Sequence, residues 1–335
     1  MRLTVPCLLL AAVLGATLIL AGCGTGDAGA PQGEDATLVL DFTPNAVHTG
    51  IYTAMARTYD DGEGIHLHVV APSASTDSVK LLRTDRANFA ILDIHDLALA
   101  RQRHQDIVGI MAIVERPLAA VIVAPGISSP RRLEGTTVGV TGVPSDTAVL
   151  HSVVAGAGGD PARVRTITIG FDAVAALLSH RVAAATGFWN DEGLTLQRRH
   201  PGYHVFRVER FGAPPYPELV LCATRQTLTE DPGLARAVVR TLVRGYDETL
   251  ADPEASAADL ESEVPGLDPK LVAAELSAEQ PAFLGPDGAV GELSLPVLRR
   301  WAAWEARFGI VSRPPDVEAA FDPEFLAGTR SLAGS

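Results

Sequence analysis

The stretch that decides the fold is LDFTPNAVHTGIY, residues 40–52, in which an apolar run ends at a Pro-Asn pair and continues into a helical pattern. We predict a strand over Thr37–Asp41 and a helix over Gly50–Tyr59. A strand followed at once by a helix is the first half of a βαβ unit. Asn45 and His48 then fall at the carboxyl edge of the sheet, where open α/β sheets bind ligands. Spacing alone also allows a turn role for Asn45 and an exposed helix start for His48.

Strand and helix patterns alternate along most of the remaining chain, which predicts an α/β fold with mainly parallel sheets. From Leu234 to Leu250 apolar residues recur at helical spacing, so the C-terminal region is predicted to be a helical layer on the first sheet. The further strands are predicted at Ile65–Val70, Phe89–Leu92, Ile110–Val114, Ala119–Ala124, Thr137–Thr141, Arg165–Ile169, Ala183–Thr186 and Leu219–Ala223, and the helices between them at Ser78–Leu82, Asp96–Gln102, Thr147–Ala155 and Asp172–Ser179.

Two breaks divide this pattern. Pro125-Gly126 precedes a fresh strand, and the prolines of Pro214-Pro215-Tyr216-Pro217 favour an extended chain. We therefore predict a discontinuous first lobe of residues 36–124 and 217–335 and a second lobe of residues 125–216. Two crossings between lobes, near Ala124 and near Tyr216, would let two rigid bodies hinge about a cleft.

The N-terminal 22 residues have the pattern of a secretory signal. Their apolar run, Leu8 to Ala21, is too short to span a bilayer as a helix. The sequence Leu-Ala-Gly-Cys that ends at Cys23 resembles the lipobox of bacterial lipoproteins. We expect export, lipidation of Cys23, which would attach the protein to the membrane, and a flexible tether over residues 23–35.

Composition excludes several classes of function. The 335 residues carry 27 Lys+Arg against 40 Asp+Glu, a formal net charge of -13, and no basic cluster, so nucleic acid is not expected as a partner. Only Lys80 and Lys270 are lysines, and neither belongs to a phosphate-binding P-loop. Cys222 is the one cysteine left once Cys7 is removed and Cys23 is lipidated, and its apolar surroundings predict a buried, inert thiol.

Three segments carry a resemblance to a known family. Phe42 to Gly50 resembles the opening motif (aromatic, x, Pro, Asn, x, x, His, x, Gly) of the proteins that bind thiamine pyrimidine precursors for ABC transporters. Residues 127–140 resemble the family's Ser-Pro-x-x-Leu-x-Gly passage, and residues 211–219 resemble its Gly-x-Pro-Pro-Tyr-x-Glu-Leu segment. The likeness runs from about Thr37 to Leu326, and the family includes fungal thiamine pyrimidine synthases and sulfonate and riboflavin binders.

The resemblance implies a two-lobed, periplasmic-binding-protein-like α/β fold of type II. It also implies a monomer that captures an aminopyrimidine between its lobes and docks on an ABC permease. Riboflavin, a sulfonate or another small heterocycle is the alternative ligand, and a pyrimidine-synthase-like enzyme is the alternative from another class. No cofactor and no metal are expected for the binding function.

The enzyme alternative depends on two positions. The fungal enzymes consume one of their own histidines and use a lysine four residues earlier to hold pyridoxal phosphate. His95 falls where that histidine would be, but Ile91 stands where the lysine would be. Without an amine no Schiff base forms, so the departure argues for a binder. His95 is then either a ligand contact or a histidine bonded at the end of a strand.

The remaining candidates for ligand binding lie in the second lobe and at the second crossing. Ser145 begins a predicted helix, where it either caps the helix or offers a polar group to the ligand. In the run 187–192, where the resemblance implies aromatic, amide and acidic groups, we assign stacking to Trp189 and hydrogen bonding to Glu192. The alternative is that this run is exposed surface. The candidate site is thus Phe42, Asn45, His48, His95, Ser145, Trp189, Asn190, Glu192, Tyr216 and Glu218, of which the last two either close over the ligand or set the hinge.

Overall fold

Ten strands form two five-stranded sheets in the computed structural model, which describes residues 33–74 and 77–329. The predicted signal segment and Cys23 lie outside the described residues. The strands are β1 (Glu34–Val39), β2 (Ile65–Val70), β3 (Phe89–Asp93), β4 (Ile107–Val114), β5 (Ala119–Val123), β6 (Thr137–Val140), β7 (Arg165–Thr168), β8 (Ala184–Phe188), β9 (His204–Arg207) and β10 (Leu219–Thr224).

The first sheet has the order β2-β1-β3-β10-β4 and the second has the order β7-β6-β8-β5-β9. Within each sheet the βαβ units are parallel, whereas β10 runs antiparallel to β3 and β4, and β5 runs antiparallel to β8 and β9. The two-lobed α/β fold is therefore confirmed, with sheets that are mixed rather than mainly parallel. The antiparallel strands β5 and β10 directly follow the two crossings, where the chain enters each sheet from the other lobe.

The change of sheet occurs between Val114 and Ala119, earlier than the predicted crossing near Ala124, because β5 pairs in the second sheet. Periodicity identifies a strand but not the sheet in which it pairs. All nine predicted strands are present within a few residues. The prediction missed β9, a short strand of His-Val-Phe-Arg with no apolar run to mark it.

Helices cover the sheets, and the region after β10 is helical as predicted. None of the described helices is both long and apolar enough to cross a membrane. The helices are α1 (Thr49–Ala56), α2 (Tyr59–Gly62), α3 (Asp77–Arg83), α4 (Ile94–Gln102), α5 (Pro144–Gly156), α6 (Ala173–Leu178), α7 (Leu194–Arg199), α8 (Arg225–Glu230), α9 (Pro232–Ala251), α10 (Pro253–Glu263), α11 (Pro269–Glu279), α12 (Leu295–Arg307) and α13 (Val317–Ala320).

The apolar face of α9 decides where the C-terminal layer lies. Leu234, Val238, Leu242 and Tyr246 recur at helical spacing and are buried in the core cluster that holds β1 and β4. Asp231 caps this helix by accepting from the Leu234 N–H at 2.9 Å, and Pro232 occupies its first turn. Cys222, in β10, is fully buried, and burial raises the pKa of its thiol well above the ordinary value, which confirms the inert thiol.

Candidate functional site

The parallel strands of both sheets point their carboxyl ends at one cavity between the lobes, as expected for open α/β sheets. Strands β1 and β3 contribute from the first lobe, and β6, β7 and β8 from the second. The cavity has a volume of about 90 Å³. Its lining includes Asp41, Phe42, Ile91, Asp93, His95 and Asp96 from the first lobe and Ser145, Asp146, Phe171, Phe188 and Glu192 from the second.

Carboxylates dominate the polar lining of this cavity. Asp41, Asp93 and Asp96 come from the first lobe, and Asp146 and Glu192 from the second. Among the lining residues that the structure describes there is no lysine or arginine. Burial, together with the charges of Asp93 and Asp146, raises the pKa of Asp96 well above its ordinary value. Burial and the Asp191 charge raise the pKa of Glu192 to about 8.

Hydrogen bonds and an aromatic contact join the lobes across the cleft. The amide of Asn45 donates to Asp191 Oδ2 at 3.1 Å, and the Ser145 hydroxyl donates to Asp96 Oδ1 at 3.2 Å. The rings of Phe42 and Phe171 meet edge to face with centroids 4.4 Å apart. The two lobes are therefore in contact across the cleft.

Asn45 and His48 position the wall of the cleft from behind. Asn45 caps the short 3₁₀ turn Ala46–His48, since its side chain accepts from the Val47 N–H at 3.0 Å. His48 Nδ1 accepts from the Asn45 N–H at 3.2 Å, which leaves Nε2–H to donate to Asp41 Oδ1 at 2.9 Å. His48 is fully buried, so the side chain that reaches the cavity is Asp41, and neither predicted contact of this turn lines the cavity.

His95 lines the cavity floor but has partners on both ring nitrogens. Nδ1 is hydrogen-bonded to the buried carboxylate of Glu305, and Nε2 lies 3.2 Å from the hydroxyl of Tyr216. Burial lowers the pKa of His95, but the neighbouring carboxylates of Glu305, Asp93 and Glu218 outweigh it and raise this pKa to about 10. The ring is therefore an imidazolium near neutral pH, held by the protein itself.

Tyr216 and Glu218 are parts of the hinge rather than of the cavity lining. Tyr216 is fully buried and stacks on Trp304 with ring centroids 5.9 Å apart. Glu218 Oε2 accepts from the backbone N–H groups of Leu118 and Ala119, the latter at 2.8 Å. The carboxylate of the second crossing thus holds the backbone of the first. Its other oxygen, Oε1, is buried without a hydrogen bond.

Asp93, His95 and Glu218 are the described residues that could together hold a metal ion. One ligand atom from each lies within 4.8 Å of the others. His95 would have to exchange its contact with Tyr216 for the ion, because its other nitrogen is bonded to Glu305.

The structure places Trp189 and Asn190 away from the cleft, which departs from the ligand-contact role expected of them. The Trp189 indole donates to the Pro117 carbonyl at 3.0 Å and lies under the Arg207 guanidinium, 3.7 Å from the ring centroid. The Asn190 amide donates to the buried carboxylate of Glu279 at 2.7 Å. Residues 189–193 form a single π-helical turn, and this turn directs the two side chains away from the cavity.

Glu192, from the same turn, does face the cavity. Its Oε2 accepts from the Phe188 N–H at 2.8 Å. The carboxylate lies so close to Gly187 that a Cβ there would be 3.1 Å from Glu192 Cδ, which explains a glycine at the end of β8. Ser145 also lines the cavity and does not cap α5.

The prediction missed Phe171 and four of the five lining carboxylates. Phe171 lies in the turn after β7, and Asp41 lies just after β1. Asp93 is the last residue of β3, and Asp146 lies in the first turn of α5, the helix after β6. The rule that predicts ligand contacts at the carboxyl ends of parallel strands would have found them, had it been applied to every strand.

Comparisons with known proteins agree with this architecture. The family described as NMT1/THI5 like matches residues 45–256. The formylaminopyrimidine-binding protein of Halalkalibacterium halodurans is 32% identical over 245 residues, which cover 71% of this chain and 74% of that protein. The riboflavin-binding protein RibY of Chloroflexus aurantiacus is 26% identical over 89% of this chain and 88% of its own length.

A more distant relative is an enzyme by name. The 4-amino-5-hydroxymethyl-2-methylpyrimidine phosphate synthase of Legionella pneumophila is 22% identical over 65% of this chain and 70% of its length. Among solved structures, the periplasmic aliphatic sulphonate binding protein SsuA of Escherichia coli superposes with a TM-score of 0.68 at 15% identity. The match covers 86% of this chain and 97% of that chain.

Proposed function

The chain belongs to the NMT1/THI5-like family, and on that premise we propose that it is the ligand-binding component of an ABC importer, taking up an aminopyrimidine related to thiamine precursors. The relative that is 32% identical is named for binding a formylaminopyrimidine, which supports this ligand class. The ligand would bridge the two lobes and favour the closed state through the contacts it makes only there. The closed form would then dock on the permease.

The observation that carries the proposal is the chemistry of the cleft. Phe42, Phe171 and Phe188 line the cavity and offer ring surface to a flat heterocycle, whose exocyclic amines would donate to the acidic side chains of the lining. We assign the hydrogen-bond acceptors to Glu192 and Asp96, one from each lobe. The wrong ring would leave these buried groups unpaired, which is the basis of selectivity.

The same chemistry argues against the alternative ligands. A sulfonate is an anion, and the described lining holds five acidic side chains but no lysine or arginine that could pair with it. Riboflavin is much larger than an aminopyrimidine, so it would need the lobes, which are in contact across the cleft, to stand further apart.

Binding rather than catalysis is supported by Ile91. This fully buried side chain of β3 lines the cavity at the position where the family's fungal enzymes hold a lysine. The hydrocarbon side chain of isoleucine offers no amine for a Schiff base. A pyrimidine-synthase assay with pyridoxal phosphate and iron tests this point, and turnover would contradict the binding function.

A panel of pyrimidines, flavins and sulfonates in a thermal-shift experiment tests the ligand class. A pyrimidine at 100 times its dissociation constant should stabilise the protein by about 2.7 kcal/mol. We expect 4-aminopyrimidines to raise the melting temperature and sulfonates to leave it unchanged. Silence from every pyrimidine would remove this ligand class.

Attachment to the extracytoplasmic face of the membrane is part of the proposal and depends on Cys23. Cells that express the full chain should incorporate labelled palmitate into the wild type and lose the label in Cys23→Ala. Cys7→Ala is the matched control, since it changes a cysteine that the signal peptidase would remove. Equal labelling of all three proteins would overturn lipidation at Cys23.

A further inference from the structure

The lining carboxylates of the cleft come from both lobes. Asp41, Asp93 and Asp96 belong to the first lobe, and Asp146 and Glu192 to the second, so closing the lobes brings five acids around one small cavity. The one basic side chain in the described lining is His95. Its imidazolium is already bonded to Glu305, a carboxylate behind the cavity wall. The His95 charge opposes the rise in the pKa of Asp93, Asp96 and Asp146, but it is one positive charge against five acidic side chains, so acids are in excess in the described lining.

The distribution of these acids makes closure of an empty cleft unfavourable. Asp96 and Asp146 line the cavity from opposite lobes, and the hydroxyl of Ser145, the residue before Asp146, donates to Asp96 Oδ1 at 3.2 Å across the cleft. Like charges brought together away from water repel strongly. Either a proton or a positive charge from the ligand must relieve this repulsion when the lobes close.

The apolar part of the lining suits the same kind of ligand. Phe42 and Phe171 face each other from the two lobes, and Phe188 adds a third ring. The face of an aromatic ring attracts a cation, and it attracts a flat delocalised cation by stacking as well. Aromatic rings and carboxylates together form the surroundings of a protonated heteroaromatic base.

We infer that the ligand is bound as a cation, a ring-protonated aminopyrimidine, and that Asp96 and Asp146 are the residues that select for this charge. The inference rests on the proposed function and specifies the protonation state of its ligand. It explains why the cleft opposes anions and why the two opposed acids come from different lobes. The charge of the ligand would thereby contribute to closure as well as to affinity.

Three probes of one outline separate charge from shape. In 4-aminopyridine the ring nitrogen opposite the amino group is a stronger base than in 4-aminopyrimidine, so the probe is cationic at neutral pH. Aniline keeps the ring and the amino group but has no basic ring nitrogen. Calorimetry on the wild-type protein should give 4-aminopyridine an affinity equal to or above that of 4-aminopyrimidine, with aniline at least tenfold weaker. Equal affinities for 4-aminopyridine and aniline would overturn the inference.

Two variants locate the charge. Asp96→Asn and Asp146→Asn keep the shape of the side chain, and each should weaken 4-aminopyridine at least tenfold while changing aniline little. Asp61→Asn removes the same charge from an exposed site beside His66 and should leave both affinities unchanged. A loss of the same size for both probes in the cleft variants would show a structural role and contradict selection for charge.

The outcome also separates this inference from the proposed function. If 4-aminopyrimidine binds and 4-aminopyridine binds more than tenfold more weakly, the proposed ligand class is supported and binding of the ligand as a cation is contradicted. If 4-aminopyridine binds and no pyrimidine does, the ligand class falls and selection for a cation stands.

Discussion

The cleft and the hinge use the same residue types for opposite purposes. In the cleft, Asp96 and Glu192 face a cavity, and their hydrogen bonds within the protein leave capacity for a ligand. In the hinge, Glu218 and Glu305 are fully buried and hold backbone N–H groups and the His95 imidazolium. A carboxylate in this fold therefore indicates binding only when its surroundings include open space, and residue type alone does not distinguish the two regions.

The largest effect should come from breaking the buried hydrogen-bonded pair of His95 and Glu305. Glu305→Ala leaves the His95 imidazolium buried without its hydrogen-bonded partner, which typically costs 3–5 kcal/mol (about 4 kcal/mol here) in the free energy of unfolding. Urea unfolding measures the loss. Glu318→Ala, which breaks an exposed pair with Arg299 on the same helical layer, should leave the midpoint almost unchanged. Similar midpoints for both variants would mean that the pair of His95 and Glu305 contributes little to the free energy of unfolding.

Removing the Trp189 indole, which lies outside the cleft, should destabilise the protein without changing ligand binding. Trp189→Ala empties a buried site under Arg207 and should cost about 3 kcal/mol of unfolding free energy. Trp189→Phe retains a ring and permits calorimetry on a stable protein. We expect the affinity of the Phe variant for 4-aminopyrimidine to match that of the wild type. Loss of binding from a folded Phe variant would place Trp189 at the ligand after all.

Replacing Glu192, which lines the cleft, should weaken ligand binding while changing the stability little. Glu192→Gln should weaken 4-aminopyrimidine about tenfold, ~1.4 kcal/mol of binding free energy, because an acid that can become a charged acceptor is replaced by an amide that cannot. Its urea midpoint should change little, since Gln can still accept from the Phe188 N–H. Glu209→Gln, on the exposed surface of the second lobe, is the matched control. An affinity equal to that of the control would remove Glu192 from the site.

The smallest effect we predict is a difference in pH dependence. Burial raises the pKa of Glu192 and of Glu218 to about 8, and the carboxylates around His95 raise its pKa to about 10 against the effect of burial. The folded state thus binds more protons than the unfolded one. The stability contributed by the two acids is complete below their ordinary pKa of 4.5 and is lost as the pH rises through about 8. That of His95 is complete below 6.5 and is lost as the pH rises through about 10.

Urea titrations at about pH 6 and about pH 9 check this sign. The free energy of unfolding should fall with rising pH, and Glu192→Gln should reduce the fall by about 1 kcal/mol, since neighbouring carboxylates share the proton that one of them loses. Stability that rises between these pH values would contradict the raised pKa values.

The sequence predicts the fold well because its strands are marked by apolar runs between turns. Nine strands, the two lobes and the helical layer follow from this pattern, whereas β9 and the sheet that receives β5 do not. Pairing is a long-range property that no local pattern contains. The site was harder to predict, since the π-helical turn at 189–193 turns Trp189 and Asn190 away while leaving Glu192 in place. One turn of helix decides which residue of 189–192 lines the cavity.

The position of β10 in the first sheet also determines the order in which the lobes can be completed. Every strand of the second sheet lies between Ala119 and Arg207, whereas the first sheet requires Leu219–Thr224 to insert between β3 and β4. Contacts between residues distant in the chain form slowly, because the intervening loop must first close. The strands of the second sheet can therefore pair with one another while the first sheet still waits for β10. The lobe whose first strands are made earliest would therefore be the lobe that is completed last.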